Sequence, residues 1–129
     1  MAYNKKEFLK RTNLSVELEE TQISQSAKTS DGVLIGFEIK RFSNYLEIIT
    51  FTSGLNDKFT MPFRIYATID EDEVILRQVF DNGVSVDVED EDVVNRVIGK
   101  VSLIIDYVAS LTASSCLQAA STMSQKYAA

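Results

Sequence analysis

The chain has 129 residues, no histidine, one cysteine and a net charge of −6. That length suits a single domain, 1–129, able to bury a core without disulfide or metal staples. The missing histidine removes the commonest general base and every Ser-His or Cys-His nucleophile pair, while a lone Cys116 leaves no disulfide framework or thiolate zinc site. The acidic balance, with a pI near 4.6, opposes binding to nucleic acid or anionic membrane, which needs an excess of Lys and Arg.

The opening residues, MAYNKKEFLKR, lack an apolar signal core, and no run reaches the ~18 residues of a membrane span. A cytoplasmic chain is expected. Residues 8–23 read as one long strand: Leu14, Val16 and Leu18 alternate, and Phe8 shares their parity. Ile23 falls out of phase, which suggests a bulge or a strand end near 19–22. Asn13, Ser15, Glu17 and Glu19 occupy the opposite, solvated face. Residues 24–32, SQSAKTSDG, read as a polar loop closed by the turn pair Asp31-Gly32.

Residues 33–42 alternate with Val33, Ile35, Phe37 and Ile39 inward and Glu38 and Lys40 outward. After the short turn Ser43-Asn44, residues 45–52 form the partner strand of a hairpin. A second turn, 53–58, leads into 59–69, where Phe59, Met61, Phe63, Ile65, Ala67 and Ile69 share one face. Pro62, the only proline, has no N–H for a ladder and fits an edge or a strand start. Residues 70–73 form an acidic turn, 74–80 a poorly patterned strand, and Asp81-Asn82-Gly83 a tight turn before the alternating Val84, Val86 and Val88. The aromatic residues Tyr45, Phe51, Phe59 and Phe63 read as core rather than as a ligand cage.

The stretch that organises the chain is 93–111, VVNRVIGKVSLIIDYVASL. Val94, Val97, Ile98, Val101, Ile104, Ile105, Val108 and Leu111 recur at three- and four-residue spacing, which predicts an α-helix. The acidic run 89–92 suits the positive end of its dipole, with Asp90 or Asp92 as cap. Leu103 and Tyr107 lie four apart on another side. The helix is therefore expected to touch both its own sheet and a second chain, although a simply well-buried core helix is the alternative. Gly99 in mid-helix costs about 1 kcal/mol against alanine, which points to another backbone packing closely there. Past Leu111 the stripe fades at Thr112, Ser115 and Gln118. A new one, Cys116, Ala120, Met123 and Tyr127, starts at a different angle. A break near Ser114-Ser115 and a short second helix are expected. The fold class is then α+β: an antiparallel sheet of four or more strands, followed by one long C-terminal helix and a short second helix.

No catalytic set, metal site or cofactor motif emerges. The acidic stretches 70–73 and 87–92 lack the central glycine and terminal glutamate of an EF-hand loop. No glycine-rich phosphate loop is present, and nothing places paired carboxylates in an apolar pocket that would split their acidities. A non-enzymatic function is expected.

Residues 103–117, LIIDYVASLTASSCL, carry a family resemblance. Val108-Ala109-Ser110-Leu111-Thr112 is similar to the Ile-x-Ser-Leu-Thr end of the helix motif in SecB-type export chaperones. Leu14-Ser15-Val16-Glu17 is similar to their apolar-Ser-apolar-Glu first strand. The order of sheet first, then helices, also resembles that family across nearly the whole chain. Ser102, Leu103 and Ile105 stand where the family has Pro, Tyr and Arg, and its Pro-Pro-Leu linker and Asn-Phe-x-Ala-Leu second helix are missing. Those departures put coupling to a secretion motor in doubt and leave open the smaller SecB-like relatives that serve as chaperones of toxin–antitoxin systems.

The resemblance implies a homotetramer, a dimer of dimers, that holds non-native polypeptide in apolar grooves without ATP or any cofactor. The clients would be a preprotein or an antitoxin tail. Phe42, Tyr45, Leu46, Leu117 and Met123 are the expected client-binding residues. Glu17 matches the position that docks a partner, and Val101, Leu103 and Tyr107 are the expected subunit contacts. The alternative is a structural or adaptor subunit that uses the same helix for assembly alone.

Overall fold

A computed structural model of the chain describes residues 2–14, 21–54 and 58–127, with backbone alone for residues 21 and 113–127. The chain opens not with a long strand but with a three-residue strand, β1 (Ala2–Asn4), and a short helix, α1 (Lys5–Arg11). The local chemistry explains the helix. The Asn4 side chain caps it by accepting from the Glu7 N–H at 3.2 Å, Glu7 sits in the first turn, and Lys10 and Arg11 sit in the last. Phe8, Leu9 and Thr12 are buried together, a helical spacing; the parity that Phe8 shares with Leu14 is coincidental. The Thr12 hydroxyl donates to the Phe8 carbonyl at 2.9 Å, and Asn13 turns the chain with a φ of 60°.

The strand β2 (Thr21–Lys28) occupies most of what reads as a polar loop. It pairs antiparallel with β3 (Leu34–Phe42) along its whole length, from Thr21 opposite Arg41 to Lys28 opposite Leu34. Backbone pairing holds this edge strand, and only the Ile23–Ala27 side faces the core, so its composition carries little β signal. The hairpin of β3 and β4 (Tyr45–Ser53) forms as expected around Ser43-Asn44.

The run 59–69 is not one strand. It splits into β5 (Phe59–Thr60) and β6 (Arg64–Asp70), both paired with β4. The interruption lies at Pro62, which cannot donate to the ladder. Beside it, the buried Thr50 hydroxyl donates to the Phe63 carbonyl at 2.9 Å and accepts from the Phe63 N–H at 3.1 Å. Pro62 thus precedes a strand.

The next strand, β7 (Glu73–Asp81), contains a bulge: Ala67 faces Leu76 but Tyr66 faces Gln78, leaving Arg77 extra. The inward series therefore shifts from Val74 and Leu76 to Val79, which is why this segment alternates badly. A short β8 (Val84–Val86) returns along β7.

Among the described residues the sheet has eight strands, ordered β1-β7-β6-β4-β3-β2 with β5 on β4 and β8 on β7. Across it runs α2 (Glu91–Tyr127), a helix of 37 residues, about 55 Å long at ~1.5 Å per residue. Asp90 caps it, accepting from the Val93 N–H at 3.3 Å. Val94, Val97, Ile98, Val101, Ile105 and Val108 are buried against Phe37, Ile39, Leu46, Ile48 and Ile65 from the sheet. The helix runs as one element past Ser114-Ser115, so the expected break is absent. The second, short helix of this α+β fold is α1, between β1 and β2 rather than behind the long helix. Among the described residues, no helix is long and apolar enough to cross a membrane.

Candidate functional site

Both helices lie on one face of the sheet. Arg11 reaches from α1 to α2, its guanidinium donating to the Asn95 side-chain oxygen at 2.7 Å. The strand register then decides which side chains point the other way. Opposite the buried Leu46, Ile48 and Thr50, β4 projects Tyr45, Glu47, Ile49 and Phe51. Their cross-strand partners on β3 are Phe42, Lys40, Glu38 and Gly36. Tyr66 of β6 stands opposite Glu47, and Arg64 opposite Ile49. Phe59 stands opposite Ser53, so it projects to this outer side as well.

The outer face is rich in aromatic rings, and several of its charged side chains are engaged by neighbours. Phe51 and Phe59 stack with centroids 5.7 Å apart, and Tyr66 meets Phe80 edge-on at 6.1 Å. The Arg64 guanidinium lies 3.8 Å over the Phe80 ring. Lys40 pairs with Glu38 at 3.0 Å, and the Tyr45 hydroxyl donates to Glu47 at 2.7 Å. Burial, and then the bond to the Glu47 carboxylate, hold the Tyr45 hydroxyl well above its usual range, so it stays a neutral donor. The large apolar side chains left exposed there are Phe42 and Tyr45, a facing pair, and Phe59.

A second apolar surface lies on the helix side. A groove of about 550 Å³ is lined by Ile35, Phe63, Ile104, Leu103 and Tyr107, with Lys100, Asp106 and Ser110 completing it. Leu103 is 64% exposed and Tyr107 45%. These large side chains sit on a helix whose opposite side fills the core.

The residues singled out from sequence divide accordingly. Phe42 and Tyr45 come together on the outer sheet face; Leu103 and Tyr107 come together at the groove. Leu46 cannot contact a client, because it is 0% exposed beneath α2, one residue out of phase with Tyr45. Val101 likewise cannot contact another subunit: it belongs to the buried stripe of α2. Glu17, and the side chains of Leu117 and Met123, lie outside the described residues. Tyr45, Phe51 and Phe59 are not core, as their reading from sequence had them; only Phe63 packs against it. The signal that places Tyr45 and Phe51 was available, since both share parity with Glu47. Ile49, Tyr66 and Phe80 are outer-face residues missed for the same reason.

Among the described residues, no group of three or more Asp, Glu or Cys side chains is arranged to hold a metal ion. No protein-family model matches the chain, and no curated protein or solved structure matches it.

Proposed function

We propose that the protein is an ATP-independent holdase of SecB-like type, acting in the cytoplasm on preproteins or antitoxin tails. In this reading its subunits assemble as a homotetramer, a dimer of dimers, and need no cofactor. The observation that carries the proposal is the exposed pair of rings, Phe42 and Tyr45, facing each other on the outer side of the sheet. Water gains when apolar segments of an unfolded chain cover such rings, and this contact needs no particular sequence. The acidic net charge keeps the loaded subunit soluble, and the similarity of 108–112 and 14–17 to the export chaperones points the same way. A structural or adaptor subunit is the second reading. The exposed Leu103 and Tyr107 favour it, because an assembly helix requires no client.

Aggregation of a chemically denatured client, followed by light scattering, tests the proposal. The intact protein is expected to suppress scattering, and a Phe42→Ser/Tyr45→Ser double variant to suppress it several-fold less while keeping its circular dichroism. A folded protein with no effect on any unfolded client would leave the assembly reading in its place.

A further inference from the structure

The solvent side of α2 has a self-complementary arrangement about Leu103. Arg96, Gly99, Leu103, Asp106 and Ser110 recur at spacings of three and four, a seam of the kind that packs against another helix. All five positions are exposed. Gly99 is unexplained within its own subunit: a Cβ built there meets nothing within 4 Å, yet glycine in a helix interior costs about 1 kcal/mol against alanine. Lys100 and Asp106 have no ion-pair partner among the described residues. Two exposed charges of opposite sign, an open glycine and two exposed large apolar side chains thus share one face.

We infer that a second copy of this chain covers this face, its α2 antiparallel to the first and the two-fold axis passing through Leu103. In that register each residue meets the one equally far on the other side of Leu103. Leu103 meets its own counterpart, Lys100 of each copy meets Asp106 of the other, and the Tyr107 ring of each lies over the bare Gly99 backbone of the other. The glycine removes the side chain that would hold the helices apart, and the tyrosine fills the space. Parallel helices would set Lys100 against Lys100 and Asp106 against Asp106, so charge selects the antiparallel arrangement. The contact is isologous, as a two-fold dimer requires. It extends the assembly part of the proposed function and does not depend on client holding, which resides on the opposite face of the sheet.

Sedimentation of the full chain across micromolar concentrations tests the register. The natural chain is expected to dimerise or to form a larger even-numbered species. Lys100→Glu and Asp106→Lys should each weaken self-association several-fold, and the Lys100→Glu/Asp106→Lys double variant should restore it. Residues six apart do not face each other on one helix, so that rescue can only come from between chains. Leu103→Cys in a Cys116→Ala background should form a disulfide-linked dimer on mild oxidation, whereas Arg96→Cys in the same background should not. A monomer at every concentration, a double variant no better than the single ones, or cross-linking at 96 but not at 103 would each overturn the inference. A natural chain that stays monomeric at every concentration yet suppresses client aggregation would leave client holding standing while this contact fell.

Discussion

Gly36 is the residue whose side chain the fold can least accommodate. The Phe51 ring lies across it, so that an added Cβ would come within 2.4 Å of the ring and 2.5 Å of the Gln25 carbonyl oxygen. The ring could swing aside, but the carbonyl belongs to the neighbouring strand and cannot. Gly36→Ala is therefore expected to cost about 1–3 kcal/mol, the range for overpacking a closely packed site. Gly54→Ala, where nothing lies within 4 Å, is expected to stay within about 0.5 kcal/mol of the parent. Urea denaturation of the two variants side by side checks the contrast. In the sequence Gly36 is only a weak spot in an alternating strand. Its role depends on Phe51 being directly opposite, and that is a matter of register between strands.

At the scale of elements, α2 shows how much a local pattern can specify. The buried residues from Val94 to Val108 are those that the helical spacing selects, and the cap is one of the two aspartates expected. Asp90→Ala should destabilise the protein by about 1 kcal/mol, the usual cost of losing an N-cap acceptor. Asp90→Asn should retain most of the stability, because the amide oxygen still accepts from the Val93 N–H. Thermal melts of both variants followed by circular dichroism decide this. The far end of α2 and the strand β2 were less legible. In β2, backbone pairing holds residues whose side chains are mostly polar or small, so periodicity carries little signal; at the far end of α2 the apolar stripe changes angle although the helix backbone continues. The bulge at Arg77 blurred the pattern of β7, though not its reading as a strand, by moving the inward face from even to odd positions.

For the whole molecule, the helices and the sheet share one core. Phe8 of α1 is fully buried in the same cluster as Val94 and Val97 of α2 and Val74 of β7. Phe8→Ala should cost about 3–5 kcal/mol, and unfolding should remain a single transition. Far-UV circular dichroism and tyrosine fluorescence should then give coincident curves with a lower midpoint. A separate early phase would mean that α1 is a detachable cover.

The sequence by itself determined the class of the fold, the long helix with its buried stripe, the β3–β4 hairpin and the two apolar side chains left on the outside of α2. These follow from spacings of two, three and four residues within a single element, and such spacings survive whatever the element packs against. Only the tertiary structure decided which side of the sheet the helices cover. Parity sorts Tyr45 from Leu46, and the charge on Glu47 marks the Tyr45 side as the outer one, but it is the position of α2 that buries Leu46. The same holds at Pro62, where a short irregular stretch puts Phe59 on the outer side while Ile65 stays inside. An alternation counted through that stretch assigns both to the core, because it assumes a continuous pleat that the missing N–H does not sustain.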